Sequence, residues 1–170
     1  MVGRMKKMWR GLWRPSFATI TAFALLLPAC SSAPDSPEGQ IRALIARAEK
    51  AAEEKDIATL KGIISDDYSD RQGQDKQLVV RVVSYHFLRS KTIHLLTQIA
   101  KIDLQDAKHA DVTVFLAMAG RAIQGFDQVS RLRADLYRID FSVSAEKPKD
   151  WKVTRAEWRP AEMEDLGAPE

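Results

Sequence analysis

Near Lys91 the spacing of apolar residues changes from helical to alternating, and this switch constrains the fold more than any other feature of the 170-residue chain. Upstream, Pro37 to Lys55 reads as a helix with Ile41, Leu44, Ile45, Ala48 and Ala52 on one face, and Ser36 with Pro37 marks its start. Asp56 is placed to cap a shorter second helix whose buried side is Ile57, Leu60, Ile63 and Ile64. Asp75 is placed to cap a third helix carrying Leu78, Val79, Val82, Val83 and Phe87. Downstream, β-branched and aromatic residues concentrate in four predicted strands, Thr92 to Leu104, Ala110 to Ala119, Ser130 to Ala145 and Trp151 to Trp158. The polar turns Gln105 to His109 and Lys147 to Asp150 join them as antiparallel hairpins. Helices followed by strands specify an α+β fold, with three N-terminal helices packed on a curved, mainly antiparallel four-stranded sheet.

Ahead of this domain lies a segment of different character. Arg4, Lys6, Lys7, Arg10 and Arg14 precede the apolar run Phe17 to Leu27, and the only cysteine, Cys30, follows Leu27-Pro28-Ala29. This arrangement resembles a bacterial lipoprotein signal peptide, in which cleavage leaves an acylated cysteine as the first residue. An uncleaved anchor is the competing reading, but eleven strongly apolar residues fall short of the roughly 20 needed to span a bilayer. The expected layout is a leader 1–29, a lipidated tether 30–36, a domain 37–160 and an acidic tail 161–170. Two or three acyl chains on Cys30 would hold the protein on a membrane, and Ser31, which follows it, points to the outer membrane facing the periplasm. Removing the leader leaves 21 Lys and Arg against 23 Asp and Glu, so the basic character of the whole chain vanishes and nucleic acid is not an expected partner.

The order of elements, Glu54-Lys55-Asp56-Ile57 between the first two helices, Ser65-Asp66-Asp67-Tyr68-Ser69-Asp70 leading to Gly73, and Asp150-Trp151-Lys152-Val153 with Trp158 in the last strand together resemble the nuclear transport factor 2-like superfamily. The resemblance covers about Gln40 to Pro160 and is nearest to bacterial lipoprotein members. It implies a cone-shaped roll shared with ketosteroid isomerases and scytalone dehydratase, on a fold that also hosts non-catalytic ligand holders.

Chemistry concentrates between Asp66 and Asp75, where four aspartates fall within ten residues. Ketosteroid isomerases carry an aspartate three residues before a glycine in this loop, and Asp70 with Gly73 matches. By that resemblance Asp70 is a candidate base for proton abstraction beside a carbonyl, with Tyr68, Tyr85, His94 and Asp140 as candidate pocket residues. The family's helix-one tyrosine has no counterpart, since no Tyr, Ser or Thr stands between Ile41 and Ala52. The alternative is that these aspartates cap helices and bond loop amides while Tyr68 packs beneath. The loop lacks the distal glutamate of an EF-hand, and His86, His94 and His109 lack zinc-ligand spacing, so no metal and no cofactor are expected.

Between the second and third strands, Ile123 and Phe126 stand in a polar loop, where they fold over the cone's mouth or meet a partner. The second strand is apolar on both faces, which calls for helices on one side and a second subunit on the other, or for a single buried sheet edge. The expected function is a lipid-anchored envelope module, non-catalytic, holding a small apolar ligand or docking an envelope protein or a second copy. The alternative is an isomerase-like or dehydratase-like enzyme using Asp70.

Overall fold

A computed structural model of the chain describes residues 33–167; the leader, Cys30 and residues 168–170 lie outside them. Helix α1 (Pro37–Glu53) begins where the Ser36 hydroxyl accepts the Gly39 amide at 3.0 Å, with Pro37 at its first position. Gly39 is required there, because a Cβ would stand 2.3 Å from the Ala33 carbonyl oxygen. Lys55, at φ 55°, reverses the chain into α2 (Ile57–Ile63). Asp56 caps α2 by accepting the Thr59 amide at 3.0 Å and its hydroxyl at 2.6 Å. Asp75 caps α3 (Lys76–Arg89) by accepting the Leu78 amide at 2.8 Å.

The strands β1 (His94–Leu104), β2 (His109–Ala119), β3 (Asp135–Lys147) and β4 (Asp150–Pro160) form one curved, open antiparallel sheet in sequence order. Irregularities between Ile99 and Lys101, between Ser142 and Val143, and between Ala145 and Lys147 bend it. The architecture is the α+β roll expected from the order of elements. Most strand and helix ends shift by one or two residues, and two regions differ in kind. Residues Ser130 to Leu132, expected to open the third strand, belong to the short helix α4 (Val129–Leu132), which follows a 3-10 turn (Phe126–Gln128), so β3 starts at Asp135. Within the acidic tail, Met163–Gly167 winds into a 3-10 turn whose Met163 and Leu166 pack on the body.

Alternation along β2 directs Ala110, Val112 and Val114 to one face and Thr113, Phe115 and Ala117 to the other. The inner face meets α1 and α2. There Ile41, Leu44, Ile45 and Ile63 pack with Val112, Val114, Val143, Trp151 and Val153, all nearly without solvent contact. Polar bonds fix α1 in place: Trp151 Nε1 donates to Gln40 Oε1 at 3.0 Å, the Thr97 hydroxyl to Glu49 at 2.5 Å, and the Leu95 amide to Glu53 at 2.9 Å.

A second cluster covers one end of the outer face. Leu96, Ala117 and Leu136 lie in register across three strands, and Ile123, Phe126, Val129, Met163 and Leu166 close over them. The loop residues Ile123 and Phe126 thus cover the outer sheet face. Phe115, 3% exposed between Gln98 and Arg138, is covered within the chain itself. Residues 31–170 form one compact unit containing the whole sheet and both clusters.

Helix α3 departs from the expected burial. It packs on α2, and none of its residues is fully buried. Val79, Val80, Val83 and Phe87 are half-buried, whereas Leu78 and Val82, expected inside, are both 39% exposed. The helix is apolar on two sides, so periodicity alone cannot select the side that meets the body.

Candidate functional site

The aspartate loop follows α2 along the open edge of β4. The Ser65 amide donates to Val153 O at 2.9 Å, the Ser69 amide to Thr154 O at 3.1 Å, and Ile64 bridges Val153 in parallel. This holds Tyr68 over the inner sheet face, 4% exposed, with its hydroxyl 3.5 Å from the Ala156 carbonyl it donates to. Burial pushes the Tyr68 phenol above its ordinary pKa, and the nearby Asp70 charge adds to the rise. Asp70 is 8% exposed, and its Oδ1 accepts the amides of Gln72 at 2.9 Å and Gln74 at 2.8 Å. Its carbonyl accepts the Gly73 amide at 3.1 Å, and Gly73 takes φ 72°, a conformation natural only to glycine. Asp66 pairs with Lys76 at 2.8 Å, which lowers its pKa, and Asp75 caps α3. Three of the four aspartates therefore hold backbone or an ion pair, and Asp70 is the internal brace of the loop.

The remaining candidates do not gather around Asp70. Tyr85 points outward from α3, 53% exposed, with its ring edge-on to His86 at 5.9 Å. The Arg89 guanidinium lies 5.4 Å from the same ring centroid and donates to the Tyr85 hydroxyl. His94 opens β1 with Nδ1 4.0 Å from Glu53. Asp140 alternates onto the outer face, accepting the Thr113 hydroxyl at 2.7 Å and pairing with Arg138 at 3.1 Å. Tyr68 and Asp70 share the loop; Asp140 lies across the sheet from Tyr68. Among the described residues no group of three or more His, Cys, Asp or Glu is placed to hold a metal ion, and no helix is long and apolar enough to cross a membrane.

Sequence reasoning did not find a shelf on the inner face. The helices seal Val112, Val114 and Val143, but beside Val114 Ile139 and Trp158, and in the next row Leu116, Tyr137 and Pro160, are only partly covered. Trp158 is 54% exposed, in contrast with Trp151 at 4%. Tyr137 and Pro160 also line a separate cavity of about 390 Å³ toward the outer cluster, walled by Val129, Leu136 and Met163 together with the polar Arg133, Asp135 and Glu162. The available signal was the length of α1 and α2, too short to roof strands of eleven and thirteen residues. The exposed apolar side chains of the shelf suit a small, mainly apolar molecule.

No known family profile matches the chain, and no curated protein matches it in sequence. Solved structures do resemble it. A scytalone dehydratase-like protein of Novosphingobium aromaticivorans superposes with TM-score 0.60 at 12% identity, covering 74% of this chain and 84% of that one. A ketosteroid isomerase-like protein of Erwinia carotovora gives 0.54 at 14% identity over 73% and 95%. A protein of unknown function with the same roll, from Shewanella oneidensis, gives 0.55 at 12% identity over 72% and 98%. Bd1075 of Bdellovibrio bacteriovorus gives 0.55 at 11% identity, and there the chain spans 41% of the longer protein. At these identities the likeness is one of fold.

Proposed function

We propose that this chain, whose fold is the nuclear transport factor 2-like roll, is a lipoprotein of the bacterial envelope that holds a small apolar ligand on the open half of its inner sheet face. The observation that carries the binding reading is the shelf itself: Leu116, Tyr137, Ile139 and Trp158 form apolar wall on the inner face that α1 and α2 leave partly uncovered. The anchoring reading rests on the basic leader, the apolar run and Cys30, and the proposed site is the outer membrane facing the periplasm. A non-catalytic role is favoured by Asp70, whose Oδ1 braces two loop amides, and by the positions of Tyr85, His94 and Asp140 away from it.

Native mass spectrometry of the protein extracted from the envelope in mild detergent tests both parts. The expected species begins at acylated Cys30 and carries a small molecule in stoichiometric amount. A chain that still begins at Met1 sinks the anchor. Titration with 1-anilinonaphthalene-8-sulfonate is expected to shift Trp158 emission to the blue, and Trp158→Phe removes the response. No bound molecule together with unchanged Trp158 emission sinks the binding reading.

A further inference from the structure

The outward side of α3 is unlike the rest of the surface. Leu78, Val82 and Tyr85 follow one another at helical spacing, and Leu88, at 88% exposed, stands beside them. The row lies away from the side by which α3 packs on α2. Past the Asp75 cap, the charges carried by α3 itself are all of one sign. From Lys76 to Lys91 the chain carries Lys76, Arg81, Arg89 and Lys91 without a single Asp or Glu, although acids outnumber bases over the chain after Cys30. Lys76 is answered by Asp66, but no ion pair holds Arg81 or Arg89 among the described residues. Arg89 instead lies over the Tyr85 ring, which keeps an aromatic group and a cation together at the surface.

We propose that this face of α3 lies on an anionic lipid surface, with Leu78, Val82, Tyr85 and Leu88 in the headgroup boundary and Arg81, Arg89 and Lys91 on lipid phosphates. An apolar row flanked by basic residues, with tyrosine at the boundary, is the pattern of a helix lying in a membrane interface. A second copy fits less well, because pairing two such faces would set Arg81 and Arg89 against their own kind with no carboxylate on the helix to answer them. Lys55 holds the end of α3 ready for this, donating to Ser90 O at 2.5 Å and Lys91 O at 3.2 Å. The inference deepens the membrane placement proposed above and rests on it for its setting, but the contact itself does not need the Cys30 lipid.

Residues 31–170, which hold the whole sheet and both clusters and lack Cys30, are therefore sedimented with vesicles of phosphatidylglycerol and phosphatidylcholine in equal parts, and with phosphatidylcholine alone. Binding is expected to the anionic vesicles, weakened roughly fivefold by each of Arg81→Gln and Arg89→Gln. Leu88→Ser is expected to weaken it as well, while Lys101→Gln on the outer sheet face leaves it unchanged. Equal loss with Lys101→Gln, equal binding to both vesicles, or no binding overturns the inference. So does a dimer in sedimentation velocity that Leu88→Ser dissolves, which would give the face to a second copy. In the full lipidated chain, α3 amides are expected to exchange more slowly on anionic than on neutral vesicles. Failure to acylate Cys30 would leave the soluble-domain result intact, so the two readings fail separately.

Discussion

Helices α1 and α3 are both apolar enough to be found from sequence, yet they do opposite work. Along α1, Ile41, Leu44, Ile45 and Ala51 are each 5% exposed or less, and Gln40, Glu49 and Glu53 bind the sheet from the flanks of that row. Along α3 nothing is fully buried, and the row Leu78, Val82, Tyr85 faces water. The difference lies in what each helix meets. α1 has one apolar stripe and lies on the inner sheet face. α3 has two, and α2, its main neighbour among the described residues, covers only one of them. Apolar spacing therefore reports that a helix exists, while burial depends on how many layers are available to cover it.

Substitutions along the two helices test this most sharply. Ile41→Ala removes a side chain with no solvent contact and is expected to destabilise by about 2–5 kcal/mol in urea unfolding, whereas Val82→Ala and Leu88→Ser stay within about 0.5 kcal/mol. A loss above 2 kcal/mol at Leu88 would mean that α3 is covered in solution. Next in size is the loop that leads into α3. Asp70→Ala leaves the Gln72 and Gln74 amides without their acceptor and is expected to cost about 1–3 kcal/mol, while Asp70→Asn retains an oxygen and costs less. If both variants are fully stable, Asp70 does not brace the loop.

A smaller effect is expected at the joint between the helices. Lys55→Met frees the Ser90 and Lys91 carbonyls and should destabilise by roughly 1 kcal/mol, with faster amide exchange confined to the end of α3 and α1 unchanged. The smallest is an effect of pH. Tyr68 has a folded-state pKa above its unfolded value, so its protonated form favours the fold; this contribution is complete below about pH 10 and is lost as pH rises through the folded value. Denaturant midpoints should fall on that alkaline side, and Tyr68→Phe should flatten the fall. An unaltered profile in Tyr68→Phe would assign the loss to other groups.

Much of the fold was legible in the sequence because its signals are local. Ser36, Asp56 and Asp75 are the caps of three helices, each accepting the amide three residues on, as their side-chain chemistry requires. The hairpin turns and strand alternation depend on near neighbours in the same way. The start of β3 was missed because Val129 and Leu132 are apolar at a spacing that suits either a strand end or a short helix, and the second cluster decided for the helix. The candidate site was legible only in part. Tyr68 and Asp70 come together because they share one loop. Tyr85, His94 and Asp140 did not join them, since the direction of a side chain on α3, β1 or β3 follows from packing and register between distant strands.

By itself the sequence determined the elements, their order, the caps and the α+β class, all of which follow from residue types within a few positions of each other. It also set the leader-like segment ending at Cys30. Only the tertiary structure decided that Asp140 lies on the outer face, that Ile123 and Phe126 cover the outer end of the sheet, that the shelf at Trp158 stays open, and that α3 shows one of its two apolar rows to water. Those outcomes depend on which surfaces are close enough to exclude solvent from one another. That is a property of the assembled layers, and no window of the sequence contains it.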